Sequence, residues 1–349
     1  MGFIVIRATG SPFERGRVIG QGLGAEIHAS LAFVDRYLEA NGIDAASLDR
    51  MLAPYIAASE TTLPHLVEQI RGIADGADQP FSKVMAANAF EEIYGQVELG
   101  VGTVAPLERC TDVVIDGVDG PLLGHTEQWY AGDDGAVGIV IDIPDDGPAV
   151  LAPVVAGTLP LVGSNEHGVA VGAMSLSARD ERIGIPRALI ARDVLDARDA
   201  ADATVRATRA GRAGGYSYQL AFPGEPALVV ESTGTREATF AGRVHTNHAL
   251  DGHVAEITFP PSPGSLGRYA RAASLAETVD PSIAGLVSIL ADHGAEPQHI
   301  CVHPDPAEGD EGSTILFAMV ADPRRRSLTI ASGHACTGTF ETFVLDDVR

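Results

Sequence analysis

The chain has 349 residues, enough for one large domain or two of average size, and 45% of them are hydrophobic while 20% are charged. Acidic residues outnumber basic ones by 47 to 24, and the resulting net charge of −23 repels phosphate backbones and anionic lipid. We therefore expect neither nucleic acid nor a membrane surface as a partner, and the negative charge favours a cationic or amine-bearing substrate.

The predicted elements change type along the chain. A short strand at 3–8 precedes a region, 12–100, in which apolar residues recur at helical spacing. Helices are also predicted at 186–210, 265–278 and 281–292. Short Val/Ile/Leu-rich runs bounded by Gly, Pro and Asp predict strands at 111–118, 120–126, 137–143, 149–155, 168–174, 217–222, 227–232, 313–320, 327–332 and 340–346. Runs of strands separated by runs of helices indicate stacked layers rather than alternating βαβ units.

The sequence has no signal-peptide pattern at its amino terminus and no apolar run long enough to span a bilayer. Its cysteines, Cys110, Cys301 and Cys336, are too few for a disulfide framework and include no Cys-x-x-Cys pair. We therefore expect a reduced, cytoplasmic protein that needs no cofactor.

Cys110 lies where the predicted helical region ends and the predicted sheet begins. One interpretation is a small apolar residue that starts a buried strand, which is common for a free cysteine. The other is a nucleophile, which needs a base. Scission of the Arg109–Cys110 bond would supply one, because an α-amine of pKa ~7.7–8.0 can accept the thiol proton.

A series of motifs extends over nearly the whole chain in a fixed order. They are SPFERGRVIGQ, RCTDVV, GHTEQW, GSNEHGVAVGAMSL, GIPRALIARDVL, HTNHAL, SLGRYARAASL and STILFAMVADPRRRSLTIASGHACTGTF. Together they resemble the autoproteolytic N-terminal-nucleophile (Ntn) hydrolases of the acyl-CoA:6-aminopenicillanic acid acyltransferase family. The resemblance implies an α+β fold, a four-layer αββα sandwich. Residues 1–109 would form the mainly helical small chain and residues 110–349 the large chain of a single domain.

The resemblance also implies a reaction. Cys110 would cleave the chain after Arg109 and then form a thioester with a small N-acyl or N-aminoacyl amide, which water hydrolyses. An alternative is an acyltransferase, in which an amine replaces water; acyl-CoA or an amine acceptor would then be a partner. Asn247 in HTNHAL matches the Asn that stabilises the oxyanion in the family. The fragment 1–109 would stay tightly associated with the rest.

Several positions depart from the family pattern. Gln128 stands where the family has an Asp that orients the site, and Thr126 stands at the position of an Asn. Glu127 is adjacent to Gln128, but on a strand it would point to the opposite face. Both residues are candidate catalytic residues. Met174 replaces a frequent Asn, so Ser175 would have to compensate, and Arg109 replaces a frequent Gly. These departures leave open a third function, a catalytically weak binding or scaffold protein.

The remaining candidates are histidines. His125 and His248, together with Thr126 and Ser175, are candidate substrate or oxyanion contacts. His245 and His248 have a spacing that could bind metal on a helix, but their neighbours are strand-like and no carboxylate is near in sequence. His299 and His303, which flank Cys301, are disfavoured as metal ligands in the same way, so no metal site is expected.

Overall fold

A computed structural model of the chain describes residues 2–99, 110–294, 298–309 and 312–345. The helices are α1 Pro12–Gly22, α2 Gly24–Ala40, α3 Ala45–Thr62, α4 Pro64–Gly76, α5 Phe81–Asn88, α6 Phe90–Leu99, α7 Arg187–Val194, α8 Ala200–Ala207, α9 Gly252–Ala255, α10 Pro263–Ala276 and α11 Ile283–Leu290. Within these described ranges, no helix is both long and apolar enough to cross a membrane.

The strands form two sheets. They are β1 Ile4–Gly10, β2 Thr111–Gly117, β3 Gly120–Tyr130, β4 Val137–Pro144, β5 Val150–Val155, β6 Gly163–Asn165, β7 Ala170–Ser175, β8 Tyr216–Ala221, β9 Leu228–Ser232, β10 Glu237–Ala241, β11 Val244–His245, β12 Ser313–Asp322, β13 Ser327–Ser332 and β14 Glu341–Val344. Sheet A has the order β1-β4-β5-β6-β7-β8-β9-β10, and sheet B has the order β11-β2-β3-β12-β13-β14. All neighbouring strands are antiparallel except β1 and β4, which are parallel.

The two sheets pack face to face, and helices cover both outer faces. Strands β2 and β3 of sheet B contact β7 and β8 of sheet A. Helices α1 and α8 pack on sheet A, while α10 and α11 pack on β2, β3 and β12 of sheet B. One large apolar core joins sheet A, its helices and the inner face of sheet B, and a smaller core lies between sheet B and α10–α11. The structure thus confirms the predicted four-layer αββα sandwich.

The hairpin β2–β3 fixes which residues of sheet B face sheet A. A two-residue loop joins its strands, so Gly117 pairs with Gly120 and Thr111 pairs with Thr126. Continuing this register by one residue places Cys110 opposite Glu127. Since side chains directly opposite each other in an antiparallel pair lie on the same face, Cys110 and Glu127 project to the same side.

Helices α1 and α4 cross unusually closely because glycines line their contact. A Cβ atom at Gly16 would lie 2.0 Å from a backbone carbonyl oxygen of α4, and one at Gly72 would lie 2.1 Å from a carbonyl oxygen of α1. About one turn further along each helix, a Cβ atom at Gly20 or Gly76 would lie 2.2 or 2.1 Å from a carbonyl oxygen of the other helix. The amino-terminal GRVIGQ motif therefore has a packing role.

Two local predictions differ from the structure. The helix predicted over 186–210 is two helices, α7 and α8, and the Asp199 side chain caps the second by accepting the backbone N–H of Asp202 at 2.8 Å. The strands β6, β10 and β11 were not predicted. Two of them have only two or three residues, too few for a periodic pattern to be read.

Candidate active site

Cys110 lies immediately before β2, between the two sheets, with only 4% of its surface exposed. Its Sγ donates a hydrogen bond to Glu127 Oε1 at 3.3 Å. Burial raises the pKa of the Cys110 thiol well above its usual range, and Glu127 raises it further, while the backbone N–H of Gln128 acts in the opposite direction. The thiol is therefore protonated at neutral pH, and it needs a base to become a nucleophile.

A continuous series of side-chain hydrogen bonds runs from the sulfur of Cys110 to Asp112 in sheet B. Glu127 Oε2 lies 3.2 Å from His125 Nε2, and His125 Nδ1 lies 2.7 Å from Asp112 Oδ1. All four side chains are buried. Gly172 of β7 leaves room for the last of them, because a Cβ there would lie 2.2 Å from Asp112 Oδ2.

The charge of His125 follows from this arrangement. Burial alone would lower the pKa of the imidazole, but the carboxylates of Asp112 and Glu127 outweigh it and raise the His125 pKa to about 9. At neutral pH His125 is an imidazolium that donates one hydrogen bond to each carboxylate. It thus orients Glu127 toward the sulfur.

The backbone of Cys110 is held from the other side. Its N–H donates to Asn247 Oδ1 at 3.1 Å, and Asn247 Nδ2 donates to the carbonyl of Ser175 at 3.3 Å. Arg268, only 3% exposed, donates to the Cys110 carbonyl at 2.6 Å, to Thr111 Oγ1 at 3.0 Å and to Asn247 Oδ1 at 3.1 Å. Both the sulfur and the nitrogen of Cys110 therefore have fixed positions.

A small cavity of about 10 Å³ lies beside the sulfur, space for about one water molecule. Its lining is Cys110, Glu127, Trp129, Leu161, Ala173, Ser175 and Tyr216. An apolar cavity of about 20 Å³ shares Glu127, Trp129 and Leu161 with it. A substrate group bound next to the sulfur would thus face an apolar wall.

Helix α6 supports one side of this cavity through a buried ionic network. Glu91 accepts hydrogen bonds from Ser175 Oγ at 3.0 Å and from the Tyr216 hydroxyl at 2.8 Å. Arg187 pairs with Glu91 at 3.0 Å and with Glu92 at 2.9 Å. A segment that precedes Cys110 in the sequence thus helps to shape the space beside it.

The structure corrects the expected arrangement at Gln128 and Thr126. Gln128 does project to the opposite face from Glu127, as predicted, but it is Glu127 that faces Cys110. The Gln128 side chain donates to Ser313 Oγ at 2.8 Å instead. Thr126 pairs with Thr111 and shares the outward face of sheet B, so its side chain does not reach the sulfur. The physical reason is the hairpin register, in which Cys110 is opposite Glu127.

The other predicted residues are placed as follows. Asn247, His125 and Ser175 lie in the hydrogen-bonded surroundings of Cys110. His248 instead bonds Ser265 Oγ at 2.8 Å and Thr246 Oγ1 at 3.1 Å, and burial with the neighbouring His245 lowers its pKa to about 4. Arg109, the residue before the predicted cleavage site, lies outside the described residues.

Sequence reasoning missed Asp112, Arg268 and Glu91 as neighbours of the site. A signal for Asp112 was present, because the Gly-Val-Asp-Gly turn sets the register that pairs it with His125. Arg268 lies in the SLGRYARAASL motif, but nothing local predicts that this helix approaches Cys110. The contacts of Glu91 depend on tertiary packing alone.

Comparison with solved structures identifies the fold. A variant of conjugated bile acid hydrolase from Clostridium perfringens superposes with a TM-score of 0.51 at 14% identity, covering 69% of this chain and 94% of that chain. Penicillin V acylase from Agrobacterium tumefaciens gives a TM-score of 0.48 at 16% identity, covering 68% of this chain and 86% of that one. The chain has the fold of the Ntn hydrolases, with a cysteine between its sheets.

Comparison of the sequence defines the family. The model for acyl-coenzyme A:6-aminopenicillanic acid acyl-transferases matches residues 140–335, more than half of the chain. The 40 kDa form of acyl-coenzyme A:6-aminopenicillanic-acid-acyltransferase from Emericella nidulans is 26% identical over 349 aligned residues, 97% of this chain and 95% of the relative. The chain belongs to the acyl-coenzyme A:6-aminopenicillanic acid acyltransferase family, and it is an enzyme.

Proposed function

We propose that the protein is a self-processing cysteine amidohydrolase that cleaves a small N-acyl or N-aminoacyl amide through a thioester on Cys110. The observation that carries this proposal is the double fixation of Cys110. Asn247 holds its nitrogen at 3.1 Å while Glu127 holds its sulfur at 3.3 Å. A buried structural cysteine would not require either contact.

The first step is scission of the bond between Arg109 and Cys110. The sulfur attacks the carbonyl carbon of Arg109, and Glu127 accepts the thiol proton, because the nitrogen of Cys110 is still part of an amide. That nitrogen leaves with a proton, and the acyl group passes to the sulfur as a thioester. Water hydrolyses the thioester, which releases the carboxylate of Arg109 and regenerates the thiol.

The second step is turnover. The freed α-amine of Cys110, with an ordinary pKa of ~7.7–8.0, accepts the thiol proton as the sulfur attacks the substrate carbonyl. The proton passes to the departing amine, and the acyl group stays on the sulfur until water removes it. Asn247 fixes the reacting nitrogen, Arg268 fixes the Cys110 carbonyl and Asn247 itself, and we retain the predicted oxyanion role of Asn247 as part of the proposal. The apolar wall formed by Trp129 and Leu161 suits an apolar acyl group next to the carbonyl.

The departure at Gln128 does not require a scaffold function under this proposal. Glu127 supplies the carboxylate that Gln128 lacks, and it has its own hydrogen-bonded support from His125.

Mass measurement of the purified protein tests the proposal. We expect two fragments, 1–109 and 110–349, from the wild-type chain, and an intact chain from Cys110→Ala with unchanged circular dichroism. Cys110→Ser, which keeps a weaker nucleophile, should process slowly. An intact wild-type chain that still hydrolyses amides would contradict self-processing, and an intact, inert chain would favour the scaffold.

Acyl transfer is a second candidate, because the relative from Emericella nidulans is named an acyltransferase and aligns over almost the whole chain. Hydroxylamine competition separates the two outcomes. Capture of the acyl group at low hydroxylamine concentration favours transfer, while release of the free acid under the same conditions favours hydrolysis.

A further inference from the structure

Four side chains that could bind a metal converge outside the Cys110 site. His293, Cys301 and His303 belong to the connection between α11 and β12, and Cys336 follows β13. Their ligand atoms all lie within 4.8 Å of one another. Three of the residues lie within one stretch of sequence, Cys336 follows His303 by 33 positions, and no Cys-x-x-Cys pattern marks them.

The separations match those of a tetrahedral metal site. The two sulfur atoms are 3.7 Å apart, and His303 Nε2 lies 3.3 Å from Cys336 Sγ and 3.8 Å from Cys301 Sγ. His293 Nε2 lies 3.0 Å from His303 Nε2. With Zn–S near 2.3 Å and Zn–N near 2.0–2.1 Å, a tetrahedron places its sulfurs about 3.8 Å and its nitrogens about 3.3 Å apart.

We propose that His293, Cys301, His303 and Cys336 bind one Zn²⁺ ion as a structural Cys2His2 site. Four protein ligands complete a tetrahedron and leave no position for water or substrate, as in structural rather than catalytic zinc sites. Binding converts two thiols to thiolates and releases their two protons to solvent. This differs from the sequence-based expectation that no metal is bound.

The surroundings of the cluster orient its members. The His334 ring stacks on His303 with centroids 4.0 Å apart and planes 10° from parallel, and His334 Nε2 lies 3.0 Å from Thr314 Oγ1. The backbone N–H of Cys301 donates to the carbonyl of Asp292 at 3.0 Å. These contacts fix the His303 ring and the backbone of Cys301 in position before an ion binds.

The ion would join the connection after α11 to the connection after β13, between which the described residues show no strand pairing. One follows α11, whose Leu286 packs over Gly124 of β3, and the other follows β13. Zinc would therefore stabilise the outer helical layer behind the strand that carries His125 and Glu127. The proposal stands on the cluster alone and does not depend on the reaction at Cys110.

The test is the zinc content of the full-length protein purified under reducing conditions, measured by plasma mass spectrometry. We expect one zinc per chain in the wild type and at least a tenfold loss in Cys301→Ser and in His303→Gln. His299→Gln is the matched control, since this histidine lies in the same connection but outside the cluster, and it should keep its zinc.

A second measurement applies if a ligand variant fails to fold. Wild-type protein stripped with a chelator and titrated with Co²⁺ should develop one equivalent of tetrahedral thiolate–cobalt absorption, which added Zn²⁺ abolishes. Less than a tenth of an equivalent of zinc together with no cobalt absorption would overturn the proposal. A Cys301–Cys336 disulfide that persists in protein purified under reducing conditions would also overturn it.

Discussion

At the residue scale, one carboxylate holds the sulfur of Cys110. The sequence places an amide, Gln128, at the position of the expected Asp, yet the structure brings Glu127 to 3.3 Å from Cys110 Sγ. His125, protonated between Glu127 and Asp112, supports that carboxylate. The two adjacent residues therefore have separable roles, and mutation can tell them apart.

We expect Glu127→Gln to slow self-cleavage by ~10²–10⁴-fold, the range typical of losing a proton acceptor. The amide keeps the size of the side chain but cannot take the thiol proton. Gln128→Ala is the matched control and should process at nearly the wild-type rate, because its side chain bonds only Ser313 among the hydrogen bonds described. Fragment appearance over time on denaturing gels measures both. Equal slowing in the two variants would remove the special role of Glu127.

The raised pKa of His125 predicts a pH-dependent stability. Its folded pKa of about 9 exceeds the unfolded value of ~6.5, so protonation stabilises the fold fully below pH 6.5, and this contribution is lost as pH rises through 9. At 1.36 kcal/mol per pKa unit the loss amounts to about 3 kcal/mol. Urea unfolding from pH 6 to 10 in the Cys110→Ala chain, which stays intact, measures it.

The comparison needs two variants in the same background. His125→Gln should flatten the decline between pH 6.5 and 9, while His167→Gln, which changes an exposed histidine, should leave it unchanged. A wild-type curve with no decline across this interval would mean that His125 is neutral in the folded protein.

At the element scale, the position of the amino-terminal helix depends on glycine. Gly16 and Gly72 allow α1 and α4 to approach until backbone meets backbone, and a side chain at either position would collide with a carbonyl group that cannot turn away. This geometry explains a glycine-containing motif that sequence reasoning treated only as a family signature.

We expect Gly16→Ala to lower the free energy of unfolding by at least ~1–3 kcal/mol, the usual cost of overpacking a core. Gly24→Ala is the matched control. This glycine is also helical, but a Cβ atom there would meet nothing within 4 Å, so alanine should be neutral or slightly stabilising. Urea unfolding of both variants provides the measurement. A stable Gly16→Ala protein would show that the two helices can separate without cost.

At the scale of the whole molecule, the segment before Cys110 is part of both the sheet and the wall of the site. Strand β1 pairs with β4 along seven residues, and Arg15 forms a buried ion pair with Asp142 at 2.5 Å. Glu91 and Glu92 bind Arg187, whose surface is only 3% exposed. Scission at Cys110 would leave all of these contacts in place.

We therefore expect the fragments 1–109 and 110–349 to elute together in size-exclusion chromatography, at the volume of the uncleaved Cys110→Ala chain. They should separate only in denaturant, because the buried ion pairs and sheet A hold them together. Elution of a free small fragment from the native protein would contradict this arrangement.

Much of the fold could be predicted from the sequence. The change from helical to strand periodicity at residue 111 and the strand runs define the elements, since periodicity reports which face of an element is buried. The ordered motifs, through their resemblance to the family, implied how these elements stack. Cys110 and Asn247 were identified as neighbours through motif resemblance. The register of β2 and β3 could also have been predicted from the turn at 117–120, because a two-residue hairpin loop fixes which residues pair.

The sequence by itself thus determined the element types through local periodicity, and the family resemblance of its motifs implied the four layers and the nucleophile candidate. Only the tertiary structure decided that Arg268 and Asn247 hold the backbone of Cys110, that Glu91 reaches Ser175, and that four His and Cys side chains converge beyond sheet B. These contacts join residues up to 158 positions apart. No local pattern encodes such a distance, since it is set by the way the layers stack.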